Sequence, residues 1–328
     1  MYGSEVSFLG IPRVEIGDEV ALAGADVAVV GAPFDGGTSF RPGARFGPQA
    51  IRACDCQPYD GSRPHLALRV DPLRDLHVVD VGDVDMPAFD IELSLGRLAQ
   101  AVGRLATSNI VPVVLGGDHS IAYADLMGMH DRYGELAVVH FDAHADTGDL
   151  HFGHRFGHGT PMRRAIEDGA VRGERFFQIG LRGYWPDPGT LEWMAGQGMR
   201  AYEMSELRAR GIGAVLDEVC AATAGCEAVF LSVDIDVVDP GLAPGTGTPE
   251  PGGLSSWELL SAVRHVCSNV DVRGMEVVEV APPYDHSDVT ALLANRVVLE
   301  ALATICRRRR ALAGEDLPRP EGPLLDGR

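Results

Sequence analysis

The sequence predicts an α/β fold built on a mostly parallel sheet with helices on both faces. Short runs rich in Val recur without the apolar–polar alternation of a half-exposed strand, as at 111–115 and 136–141. Stretches of helical periodicity separate them, so strand and helix alternate along the chain. The 328 residues, 45% hydrophobic and 23% charged, suffice to bury such a sheet.

Seven strands follow from those runs. DVAVVG (26–31), LHVVDV (76–81), VPVVL (111–115), LAVVHF (136–141), RFFQIG (175–180), VFLSV (229–233) and VRGMEVVEV (272–280) are rich in β-branched and aromatic residues. Amphipathic patterns predict helices at 90–108, 119–131, 188–197, 205–224, 255–268 and 287–311. There is no internal repeat and no linker, so residues 1–313 read as a single domain. Residues 314–328, broken by Pro and Gly and poor in apolar side chains, read as a mobile tail. Two long loops stand out. Residues 34–48 carry Gly36, Gly37, Gly43 and Gly47; residues 147–159 carry Asp149, His151, His154, Arg155 and His158. Long ordered loops in compact domains are often functional.

Composition excludes several function classes. A net charge of −19 argues against nucleic acid and anionic membranes as partners and suits a cationic small molecule. All 28 basic residues are Arg, which removes Schiff-base, pyridoxal-lysine and P-loop chemistry. The run 307–310 is all Arg, but at a helix C-terminus those charges complement the helix dipole. The six Cys form no CxxC pair and no regular framework, as expected of reduced thiols. Residues 1–10 show no basic stretch leading into an apolar run, and no segment reads as ~20 apolar residues of membrane span. A cytoplasmic protein is expected.

The chemistry lies at three strand ends. His119 follows Gly116-Gly117-Asp118; Asp142, His144 and Asp146 follow the run 136–141; Asp234 and Asp236 close the run 229–233. Residues i, i+2 and i+4 of extended chain share a face. In a parallel sheet, ligands bind beyond the carboxyl ends of the strands. Four carboxylates and two imidazoles pooled there are costly unless cations neutralise them. One Asp after a strand is often only a helix cap, but three such clusters together point to a two-metal site. Mixed carboxylate and imidazole donors suit Mn(II), Fe(II), Co(II), Ni(II) or Zn(II) better than Mg(II) or Ca(II). Two such ions would acidify a bridging water and need no Ser, Cys or Lys nucleophile. A loop His such as His158 is more often an ordinary surface residue than a proton carrier, and Glu279, ending an apolar strand, needs a partner that an internal Arg could supply. Glu276, three residues before Glu279, is expected on the opposite face of its strand.

GGDHS (116–120), FDAHAD (141–146), SVDIDVVDP (232–240) and APGTGTPEPGG (243–253) resemble the ureohydrolase family of arginases and agmatinases. GAPFDGGTSFRPGARFGPQAIR (31–52) and EVVEVAPPYDHSDVTAL (276–292) resemble its agmatinase branch, which includes guanidino-acid hydrolases. The resemblance, from about 27 to 303, implies a three-layer α/β/α sandwich and a binuclear manganese site, two Mn(II) per chain. His119, Asp142, Asp146 and Asp234 would hold one ion, and Asp142, His144, Asp234 and Asp236 the other. His158 would be the proton shuttle and Glu279 the guanidinium carboxylate. The implied reaction cleaves a small guanidino substrate to urea and an amine, as agmatine to putrescine, or alternatively a guanidino acid. Ni, Co or Zn could replace manganese, and a homotrimer or homohexamer is implied. Asp149 would favour an amine tail; Arg41, Arg155 or Arg163 would favour a carboxylate. A one-zinc deacetylase of the same fold and an inactive regulatory relative are the other readings; all six ligand positions being filled disfavours both.

Overall fold

Alternate residues of each apolar run face opposite sides of the sheet, and both sides are covered. The computed structural model describes residues 6–319. Its strands are β1 (Val27–Gly31), β2 (Val78–Asp83), β3 (Val111–Leu115), β4 (Leu136–Phe141), β5 (Val171–Leu181), β6 (Arg200–Glu203), β7 (Val229–Asp234) and β8 (Val272–Val278). They form one sheet in the order β2-β1-β3-β8-β7-β4-β5-β6. Every neighbouring pair is parallel.

Val27 and Val29 pack on one side with Val215, Leu259, Val263 and Val298, from the helices Ile212–Thr223, Ser256–Asn269 and Val289–Leu312. Ala28 and Val30 pack on the other with Leu98, Val102 and Leu126, from the helices Ile91–Thr107 and Ala122–Tyr133. The result is the expected three-layer α/β/α sandwich. Because β3, β8, β7 and β4 are neighbours, strand ends far apart in sequence meet at one edge of the central layer.

The elements depart from expectation in instructive places. An eighth strand, β6, closes one edge; only Tyr202 of its four residues is buried, so it carries no apolar run. The helix expected over 205–224 is two, Met204–Arg210 and Ile212–Thr223, because Gly211 turns left-handed at φ 81°. A short helix, Pro161–Glu167, follows the second long loop, and Gly47–Ala53 ends the first. Strand β8 stops at Val278, because Glu279 takes φ 62°.

One helix of the described residues, Val289–Leu312, is long and apolar enough to cross a membrane, contrary to the expectation that no segment would be. Of its most apolar 18-residue stretch 83% is buried inside the protein, which makes it a core helix. Its terminal arginines are tied down: Arg308 to Asp271, Arg309 to Asp26 and Arg310 to Asp75. Of the expected tail, residues 314–319 carry no helix or strand, and 320–328 lie outside the described residues.

Long-range ion pairs fasten the helix layer to the loops. The Asp55 carboxylate has no exposed surface, with Arg63 Nε at 2.9 Å and Arg296 Nη1 at 3.1 Å. Burial works against its charge, but the two guanidiniums win and hold it down at about 2. A depressed folded-state value contributes stability above the ordinary carboxylate range and loses it as pH falls toward 2. Asp55→Asn should therefore cost about 2 kcal/mol at neutral pH. Its stability should also fall less steeply than wild type between pH 4 and 2, which denaturant melts across that range will read.

Candidate metal centre

The ends of β3, β7 and β4 build the site, with β8 lying between β3 and β7. After β3, Gly117 passes so close to Phe34 that a Cβ would lie 1.8 Å from its backbone oxygen, so only glycine fits. Asp118 then turns away. Its carboxylate accepts from the Gly37 and Ser120 amides at 2.7 and 3.0 Å, anchoring the first long loop. His119, next in the chain, points into the centre. After β4, Asp142 Oδ1 accepts from the His144 amide at 2.6 Å. After β7, Asp234 Oδ1 accepts from the Asp236 amide at 2.8 Å, and Asp236 Oδ1 from the Ala143 amide at 3.1 Å. Asp142 and Asp234 thus each brace their own turn with Oδ1 and turn Oδ2 toward the centre.

The six predicted ligands converge. His119 Nδ1 lies 3.1 Å from Asp142 Oδ2, 3.0 Å from Asp146 Oδ2 and 3.2 Å from Asp234 Oδ2. His144 Nδ1 lies 3.0 Å from Asp236 Oδ2 and 3.6 Å from Asp142 Oδ1. Asp142 belongs to both groups, one oxygen to each. All but His144 are buried. Although three carboxylate oxygens surround it, His119 Nδ1 has no hydrogen bond of acceptable geometry. A ring nitrogen carries at most one proton and can satisfy at most one of three acceptors. A cation between them would satisfy all four atoms, so the donor set fits a divalent ion.

The electrostatics agree. Burial opposes charge on His119, but Asp142, Asp146 and Asp234 push it well above its ordinary value. His144 moves the same way against burial, driven by Asp236 and Asp142. Burial, Asp236 and Asp142 together drive Asp234 well up. Protons are being drawn to where positive charge is short.

His158 and Glu279 sit beside this cluster. Glu279 Oε1 accepts from the His119 amide at 2.8 Å and lies 3.0 Å from His158 Nδ1. Its Oε2 is buried without a partner. Burial would raise Glu279, but the His158 charge outweighs it and holds the carboxyl low. His158 is itself pushed up to about 9, burial being overcome by Glu279. Ser39, on the first long loop, places its Oγ 2.7 Å from His158 Nε2, a contact the sequence did not suggest. A cavity of about 240 Å³ opens above, with His144, Asp146, Asp234 and Glu279 in its floor and Leu150, His151 and Trp185 in its wall.

The residues expected to read a substrate tail are elsewhere. Asp149 is held by Arg164 at 3.1 Å. Arg155 pairs with Asp168 at 3.1 Å, and Arg163 pairs with Glu167 at 2.9 Å while lying over Trp193. Arg41 lies between the Phe40 and Tyr284 rings. None of them lines the cavity. His151 does, with its ring stacked on His158 at 5.2 Å, whereas His154 faces a separate hollow. Glu276 is also misplaced by strand counting. The left-handed Glu279 breaks the alternation, and Glu276 Oε1 comes within 3.7 Å of His119 Nε2, behind the centre.

The Arginase family model matches residues 25–304. The chain belongs to the arginase family. It is similar to proclavaminate amidinohydrolase of Streptomyces clavuligerus, 40% identical over 88% of this chain and 90% of that one. The solved structure of that protein superposes with a TM-score of 0.85, covering 94% of this chain and 99% of the other at 37% identity. Mitochondrial agmatinase of Gallus gallus is 39% identical over 88% of this chain and 83% of its own. Guanidinobutyrase of Pseudomonas aeruginosa is 37% identical over 93% of both. This arginase-family chain is therefore an amidinohydrolase, and its relatives divide over the substrate.

A divalent ion that binds only the folded protein must stabilise it. The metal-free enzyme should gain about 2.7 kcal/mol at 100-fold excess over the dissociation constant. Thermal melts unmoved by Mn(II), Co(II), Ni(II) and Zn(II) alike would rule the centre out.

Proposed function

We propose that the enzyme hydrolyses the guanidino group of a small linear compound to urea and an amine, with agmatine as substrate. The supporting observation is the buried, unpartnered Glu279 Oε2 beside six converging ligands. A planar guanidinium is a good bidentate partner for such a carboxylate. In this reading His119, Asp142, Asp146 and Asp234 would hold one manganese ion, and Asp142, His144, Asp234 and Asp236 would hold the other. The ions, when bound, supply Lewis acidity that makes water nucleophilic at neutral pH.

The chain's own groups do the rest. Glu279 fixes the guanidinium over the floor of the cavity. His158 Nδ1 is committed to Glu279, so Nε2, beside Ser39, is the nitrogen that exchanges protons with the leaving amine. Among the described residues no Arg lines the cavity, so an anionic tail would find no guanidinium there, and the raised imidazole of His158 is already paired with Glu279. The net charge of −19 draws cations in. Both favour an amine tail over a carboxylate, although Asp149 no longer supplies the reason. A homotrimer or homohexamer belongs to the same reading and rests on family likeness, whereas a cytoplasmic location rests on six Cys that show no disulfide framework.

His158→Ala should leave metal content at the wild-type level and lower kcat about 10²-fold, the usual worth of positioned acid–base help. Wild-type turnover across pH would remove the shuttle role. For the tail, the decisive quantity is the ratio of kcat/KM for agmatine and 4-guanidinobutanoate. Agmatine should lead. A clear preference for the guanidino acid would overturn the agmatine assignment and leave guanidino hydrolysis standing.

A further inference from the structure

A row of buried polar side chains crosses the middle of the sheet one pleat below the candidate ligands. Gln178 of β5 is in register with His140 of β4, His140 with Ser232 of β7, and Ser232 with Glu276 of β8. All four are buried. His140 and Ser232 each precede a cluster carboxylate, Asp142 or Asp234, by two residues, so they share its face. An unsatisfied polar group at such depth is expensive, and the row must be accounted for.

The His140 end can be read atom by atom. His140 Nε2 lies 2.8 Å from Asp142 Oδ2. Gln178 Nε2 lies 2.5 Å from the Ala145 carbonyl and 3.2 Å from His140 Nδ1. A carbonyl only accepts, so the amide nitrogen of Gln178 must face Ala145, and its second proton meets Nδ1. Gln178 Oε1 is left without a partner, and reversing the amide would set that oxygen against the Ala145 carbonyl. Nδ1 is therefore the acceptor, and the ring proton sits on Nε2, donated to Asp142. The Phe176 edge, 5.6 Å away, packs against the same ring.

We infer that Gln178 and His140 are positioning residues that fix Asp142 Oδ2 toward His119, and that His140 is not itself a metal ligand. The inference rests on the two-ion reading above. His140 makes a group with His119 and Asp142 whose ligand atoms fall within 4.8 Å of one another, so ligation is the rival account. A ligating nitrogen must offer a lone pair, and Nε2 has given its own to a proton. The relay also makes the two ion positions unequal. His119 is backed from below by Ser232, 3.0 Å from Nε2, as Asp142 is by His140. No member of the row touches His144 or Asp236 in any hydrogen bond or ion pair of the described residues. The ion held by His119 should depend on the row, and the ion held by His144 should not.

The test is a Mn(II) titration of metal-free protein by calorimetry, with metal content counted and the metal-free melting temperature recorded. Wild type should bind two ions; fewer would defeat the two-ion reading and not the relay. His140→Leu should weaken one ion about 10–100-fold, the usual effect of losing an outer partner, and leave the other within a few-fold. His140→Gln, which places an amide N–H near the old Nε2, should stay close to wild type. Gln178→Leu should weaken the same ion by less, and His140→Leu with Gln178→Leu should be no worse than His140→Leu alone. Two tight ions in His140→Leu, equal weakening of both, or a His140→Gln as damaged as His140→Leu would each overturn the inference. Should His140→Leu fail to fold by its melt, Gln178→Leu decides: unchanged affinity for both ions sinks the relay.

Discussion

Six ionisable groups at neighbouring strand ends, five of them buried, impose the constraint that the rest of the molecule answers. Four carboxylates cannot stay charged in a dry interior without compensation. The chain meets this by pointing them at one another and at two imidazoles. It leaves His119 Nδ1 facing three oxygens with no proper hydrogen bond. That arrangement makes sense only around positive charge. The parallel sheet is what makes it buildable, because the order β3-β8-β7-β4 gathers residues 119, 142–146, 234–236 and 279 at one rim.

The same constraint reaches below the ligands. Asp142 and Asp234 each spend one oxygen on a backbone amide of their own turn, which fixes direction but leaves the aim of the other oxygen to a second contact. The polar row in the sheet supplies the second point of support on the His119 side. His144 lacks it, and its side chain is 23% exposed against 1% for His119. One half of the centre is thus held by the sheet and the other by the loops that close over it, so only the first inherits the rigidity of the core.

Most of the site was legible because it hangs on strands. Strand ends place the first residue of each cluster, and the short turns after them carry the rest: His119 and Asp236 lie in 3-10 turns and Asp146 takes φ 54°, yet all six candidate ligands still converge. Strand counting failed just past β8. Glu279 at φ 62° restarts the count, so Glu276 was sent to the wrong side of the centre. The polar row had a signal that went unused: a His or Ser two residues before a ligand Asp, inside an apolar run. β6 had none, because three of its four residues are at least partly exposed. Gly211 was visible in the sequence, but only its φ of 81° shows that it ends a helix.

The tail-reading residues were illegible for a different reason. Asp149, Arg155 and Arg163 lie on a loop and the short helix after it, where spacing does not set direction. Each was a plausible partner for a substrate charge when considered alone. Together they neutralise their own neighbourhood: Asp149 with Arg164, Arg155 with Asp168, Arg163 with Glu167. An exposed charge near a site is more often a partner for its neighbour than for a ligand. What remains at the cavity wall is Leu150, His151 and Trp185, which offer shape and ring faces more than formal charge. Reaction class and substrate preference are thus written in different parts of this fold. The first sits on sheet-directed residues that a sequence can aim. The second, on the reading proposed above, would fall to loop residues whose pairing only the folded chain decides, and relatives 40%, 39% and 37% identical to this chain carry different substrates in their names.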